Sequence, residues 1–119
     1  MINSKDEKIE LRRVCRTVRD GIPKEERAEA DGRILRYISS LASYRHAELL
    51  LFYAPIKSEV DVMPLMLDAL EKGRRVALPL CESEPGVMTF RRVFSADELV
   101  SGAFGVREPA SDAPIVGEE

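Results

Sequence analysis

Apolar and polar positions alternate along the chain in three recognisable rhythms. Leu49-Leu50-Leu51-Phe52-Tyr53 is apolar at every position, which leaves a strand no wet face. It reads as a buried strand of a parallel or mixed sheet. Upstream the rhythm is helical. Ser4-Lys5-Asp6-Glu7 fits the capping box S-x-x-E and opens a helix at Ser4. Leu11, Val14, Cys15, Val18 and Ile22 recur at helical spacing and form its expected buried stripe. Gly21-Ile22-Pro23 breaks that helix, and Pro23 suits the first turn of the next. Ile34, Leu35, Ile38, Leu41 and Ala42 give the second helix its apolar face, ending near Ser43-Tyr44.

Beyond the strand, Asp61 is an expected N-cap and Pro64 a tolerable first-turn residue. Met63, Met66, Leu67 and Leu70 form the expected inner face of this helix, and Lys72-Gly73 is its stop signal. Arg75 to Leu80 is then a second strand, so strand, helix and strand make one right-handed βαβ crossover. Glu84-Pro85-Gly86 predicts a type II turn. Val87 to Phe94 alternates as a strand, with Met88, Phe90, Arg92 and Phe94 on one face. Ser95 to Glu98 is a second capping box that starts a single helical turn. Gly102 and Gly105 loosen the chain, and Ala110 to Glu119 carries no element.

A strand buried on both faces needs cover on each face and hydrogen-bonding neighbours on each edge. The elements above scarcely supply them. One α/β domain over residues 1–119 is therefore expected, apparently incomplete. Either it dimerises through its sheet or more sequence normally follows Glu119.

Composition narrows the class. A chain of 119 residues, 45% hydrophobic and 33% charged, suits one small soluble domain with a single core. No apolar run approaches the ~20 residues of a membrane span, and the N-terminus has no apolar signal region. The formal net charge of -3 argues against general nucleic-acid binding. Cys15 and Cys81 are far apart and lack metal spacing, so they read as reduced, buried thiols of a cytoplasmic protein. His46 has no ligand-type partner nearby and reads as a loop or cap residue. No metal-binding motif is present.

Two features carry candidate chemistry. Lys8, Arg12, Arg16 and Arg19 stand three or four residues apart on the first helix. Like charges at this spacing repel by roughly 0.2–0.5 kcal/mol per pair. The row is either a solvated polar face or a seat for an anion. RNA is a poor occupant, because no aromatic residues interleave with the row. The second feature is the loop AELLLFYAPIKSEVDV. Ligands of open α/β sheets collect at the carboxyl ends of the strands, which is where Tyr53 and Glu59 stand.

These residues occur in an order that resembles a known family. KIELR (Lys8 to Arg12), the loop YAPIKSEVDV, the strands RVALPL and GVMTF and the segment FGVREP together resemble the 5-formyltetrahydrofolate cyclo-ligases, or methenyltetrahydrofolate synthetases. The likeness runs from Lys8 to about Pro114. It implies a three-layer α/β sandwich of the ribose-5-phosphate isomerase and CoA-transferase type. It also implies closure of 5-formyltetrahydrofolate to 5,10-methenyltetrahydrofolate, with ATP and Mg2+. The formyl oxygen is first phosphorylated; N10 then attacks the activated carbon and phosphate leaves.

On this resemblance Lys8 and Arg12 contact ATP phosphates, and Glu59 accepts hydrogen bonds from the pterin. Ala54 is a second substrate contact, and Tyr53 packs beside it. Met88 lies in the strand lining the folate pocket, unless it is simply a core methionine. No residue is implied as catalytic or as a metal ligand. Relatives continue into a glycine-rich segment ending in G-Y-Y-D, which this sequence does not contain. The alternative expectation is a non-catalytic folate- or nucleotide-binding or oligomerisation module.

Overall fold

The computed structural model describes residues 4–56, 58–84, 86–102 and 106–117. Helices α1 (Ser4–Asp20), α2 (Lys24–Ser40) and α3 (Ala42–His46) precede strand β1 (Leu50–Leu51). Helix α4 (Met63–Glu71), β2 (Val76–Cys81) and β3 (Met88–Val93) follow, then a single 3-10 turn (Ala96–Glu98) and the short pair β4 (Val100–Ser101) and β5 (Arg107–Glu108). The helix expected to run to Tyr44 instead breaks at Leu41, whose extended ψ of 135° closes α2 and leads into α3.

The βαβ unit is present. β1 and β2 are parallel, with Leu50 beside Val76 and Leu51 beside Ala77. β3 returns antiparallel to β2 from Cys81↔Met88 to Val76↔Val93. The turn between them has an N–H···O bond from Val87 to Glu84 of 3.1 Å, and Gly86 takes φ +79°, as the third position of a type II turn requires. The tail was expected to have no element. Its Ile115 instead bridges Arg91, with Arg92 N–H donating to Pro114 O at 2.7 Å and Val116 N–H to Phe90 O at 2.9 Å. An open edge of β3 needs partners for its backbone groups, and this short apolar stretch supplies them. Arg91 fixes the tail further by donating to Ser111 O, Ala113 O and Glu82 Oε1.

The core lies between α4 and one face of the sheet. Leu65, Met66 and Ala69 pack with Leu50, Phe52, Val76, Leu78 and Val93, and α2 adds Leu35 and Ile38. The inner face of α4 is wider than the one expected: Met63, Met66 and Leu70 pack on the core, Leu65 and Ala69 join them, and Leu67 alone of the expected four is exposed. The helix stop is a Schellman motif, with Arg74 N–H donating to Ala69 O, Gly73 N–H to Leu70 O and Gly73 at φ +73°. A Cβ at Gly73 would meet nothing within 4 Å, so Gly73→Ala is expected to cost about 1 kcal/mol through its backbone alone. Gly32→Ala, inside α2, is expected to stabilise by about 0.5–1 kcal/mol. Urea midpoints moving in opposite directions would check the pair.

Three expectations of burial fail together. β1 is not covered on both faces: Leu50, Phe52 and Ala54 are buried, but Leu51 is 56% exposed and Tyr53 is open too. The stripe of α1 is bare, since no residue of that helix is buried and Leu11 is 63% exposed. Cys15, on that stripe, and Cys81, at the end of β2, are consequently exposed thiols. A periodic apolar face demands a partner, and within the described residues these faces find none.

Candidate functional site

The loop between β1 and α4 is held by its own side chains. Tyr53 stands two residues past the end of β1, and its hydroxyl crosses the loop to donate to Val60 O at 2.8 Å. Glu59 N–H donates to Ile56 O at 3.1 Å, and Ile56 N–H donates back to Glu59 Oε1 at 2.8 Å. Glu59 thus braces the turn that presents it. Asp61 N–H donates to Asp31 Oδ2 on α2 at 3.2 Å. Asp61 Oδ1 accepts from Met63 N–H at 3.1 Å, so it serves the start of α4 as expected, although the N-cap itself is Val62.

The end of α1 meets the same loop. Ser58, 3% exposed, accepts a hydrogen bond from Arg19 Nε at 3.1 Å and donates to Asp20 Oδ1. Burial pushes the Tyr53 phenol up, and the carboxylates of Glu59, Asp31 and Asp61 push it further. Arg19 opposes them. Tyr53 therefore stays a neutral donor at physiological pH, under the influence of Glu59, Asp31, Asp61 and the Arg19 guanidinium.

Sheet register places the remaining candidates. Leu51 pairs with Ala77, and Ala77, Pro79 and Cys81 pair with Arg92, Phe90 and Met88. Side chains alternate along each strand, so Leu51, Phe90 and Met88 share the face turned away from α4. Tyr53 and Met88 stand at the same end, where β1 and β2 finish. Met88 is 53% exposed there and is no core methionine. Ala54, next to Tyr53, is buried. Behind the loop, a cavity of about 200 Å3 is lined by Ile38, Tyr44, Leu50, Phe52, Tyr53 and Val62, among others.

Lys8 and Arg12 are exposed, and neither forms an ion pair with a described residue. Helical periodicity puts them on the ridge that ends in Arg19. At 1.5 Å per residue, Arg12 stands roughly 10 Å and Lys8 roughly 16 Å along the axis from Arg19. The ridge therefore leads to the Glu59 loop through Arg19 without Lys8 or Arg12 touching it. Sequence reasoning passed over Ser58. A lone loop serine carries no periodic signal, and its role depends on the meeting of two elements.

Among the described residues, no group of three or more His, Cys, Asp or Glu side chains could hold a metal ion. Mg2+ keeps most of its water and is held largely by phosphate oxygens in phosphoryl-transfer sites, so a protein cage is not required of it.

The architecture is that of a mixed α/β protein, with the loop from Tyr53 to Glu59 at the carboxyl end of β1, which runs parallel to β2. Residues 4–117 match the model of the 5-formyltetrahydrofolate cyclo-ligase family, and the chain belongs to that family. It is similar to the solved structure of 5,10-methenyltetrahydrofolate synthetase from Aquifex aeolicus, with a TM-score of 0.78 and 32% sequence identity. That alignment covers 92% of this chain and 54% of the other, so this chain spans about half the length of that relative. A comparison with curated proteins gave no match.

Proposed function

We propose that the protein acts in ATP-dependent closure of 5-formyltetrahydrofolate to 5,10-methenyltetrahydrofolate, in the cytoplasm, with Mg2+ on the nucleotide. The observation that carries this reading is the meeting of two parts of the site. The loop presenting Tyr53, Ala54 and Glu59 shares one sheet end with Met88 and is joined through Ser58 to the helix bearing Lys8 and Arg12. Family membership supplies the chemistry these parts would serve.

In this reading Lys8 and Arg12 neutralise the polyphosphate and the charge that moves between oxygens during transfer. The formyl oxygen takes the γ-phosphoryl group and ADP departs. N10 then bonds to the activated carbon, and phosphate leaves with the former formyl oxygen. Glu59 accepts hydrogen bonds from pterin N–H donors, a task open to a carboxylate and closed to an apolar side chain. Tyr53 and Met88 flank the ring with apolar surface. The sheet with α4 on one side is the beginning of a three-layer sandwich within one domain, residues 1–119. The bare face bearing Leu51 then meets a further layer, for which a second copy of the chain is one candidate.

The test is the ATP-dependent appearance of methenyltetrahydrofolate absorbance from 5-formyltetrahydrofolate. Glu59→Gln is expected to weaken folate binding about 10- to 100-fold, the worth of a hydrogen bond to a charged acceptor, and to leave ATP binding unchanged. Absence of product together with unaltered folate binding in Glu59→Gln would remove the proposal. Binding of both ligands without turnover would favour the non-catalytic module instead.

A further inference from the structure

We infer that Ser58, Arg19 and Asp20 form a positioning latch that sets the cationic ridge of α1 against the Glu59 loop, so that nucleotide binding depends on it. The inference rests on the reading of Lys8 and Arg12 as a phosphate seat. Helix α1 buries none of its residues, so no packed face fixes its direction. Among the described residues, the hydrogen bonds joining its last turn to the loop run through one oxygen: Ser58 Oγ accepts from Arg19 Nε at 3.1 Å and donates to Asp20 Oδ1. A hydroxyl can accept and donate through one atom, which alanine cannot do and threonine can.

The latch sits where small errors are magnified. Lys8 lies roughly 16 Å along the helix from Arg19, so a tilt of about 10° at the latch displaces it by roughly 3 Å. Misplacement by about 1 Å is already enough to impair a positioned reaction about 100-fold. Ser58 also precedes Glu59 in a turn closed by Glu59 N–H to Ile56 O, so the latch and the proposed folate contact share one rigid bend. Folate contacts in that bend do not run through α1. The latch should therefore affect the two ligands unequally. Ser58, Arg19 and Asp20 are positioning residues, since none is placed against the reacting atoms.

Cys15 on α1 and Cys81 at the end of β2 are both exposed, so spin labels on the native thiols report the helix's placement against the sheet. In the wild-type protein, pulsed dipolar spectroscopy is expected to give one narrow distance distribution. Ser58→Ala and Asp20→Asn are expected to broaden it, and Ser58→Thr to restore it. By calorimetry, Ser58→Ala should weaken ATP binding at least 10-fold while 5-formyltetrahydrofolate binding stays within 2-fold, with Ser58→Thr again restoring ATP. Asp20→Asn, at an exposed position, carries the test should Ser58→Ala fail to fold. A wild-type distance distribution in both variants overturns the latch, and so does a broadened one with unaltered ATP affinity. If the wild-type protein binds no ATP, the phosphate-seat reading falls, and the latch's role in nucleotide binding falls with it. The distances still decide whether Ser58 fixes α1.

Discussion

Met66→Ala is expected to lower the free energy of unfolding by about 3 kcal/mol, within the ~2–5 kcal/mol range of buried methionine truncations. Met66 is 0% exposed and sits where α4 meets β2, among Leu65, Ala69, Val76 and Leu78. Removing its thioether leaves a void that the surrounding sheet, pinned by paired backbone groups, can close only in part. Met66→Leu keeps most of the volume and is expected to cost less than about 1.5 kcal/mol. A chain of this size has a stability of roughly 5–15 kcal/mol, so the alanine change removes a large share of it. Denaturant midpoints for the two variants check the ranking. A Met66→Ala midpoint equal to that of Met66→Leu would mean that this contact is not the centre of the core.

The same residue shows what a sequence can and cannot convey. Met66 was legible because α4 is short, amphipathic and bounded by Pro64 and Gly73, so its inward face had few choices. The turn at Gly86 and the capping box at Ser95 were legible for similar reasons, each resting on residues within a few positions of one another, while the parallel pair β1–β2 followed from the strand-helix-strand order. α1 shows the limit. Its stripe of Leu11, Val14 and Val18 announces a face that wants cover, but periodicity does not say what covers it, and the described structure leaves it bare. The pairing of Ile115 with Arg91 escaped notice because a single bridge has no repeating pattern. At the candidate site, Tyr53 and Glu59 are proposed from strand-end logic. Met88 came only from family resemblance, and its exposure at the same sheet end as Tyr53 follows from register that no local signal encodes.

Arg12→Ala is expected to lower kcat/KM for ATP by about 100-fold or more, the order seen when one preorganised donor to a developing oxyanion is removed. The KM for 5-formyltetrahydrofolate should stay close to wild type, because the proposed folate contacts lie on the β1–α4 loop and on β3. Arg12→Lys keeps the charge and loses the planar fork that grips two phosphate oxygens, so it should recover only part of the activity. Lys8→Ala should be milder, since ammonium acts as a point charge on a flexible stem. The two residues stand one helical turn apart and would serve one polyphosphate, so their effects should not add. Both side chains are exposed, and salt therefore matters: raising ionic strength should weaken wild-type ATP binding more than that of the Lys8→Ala, Arg12→Ala double variant. Steady-state rates at several salt concentrations separate this from a general loss of folding, which would depress the apparent affinity for both substrates. Equal salt dependence in the wild type and the double variant, with ATP kinetics unchanged, would return the row Lys8, Arg12, Arg16 and Arg19 to a plain solvated face. Its mutual repulsion would then be relieved by water alone.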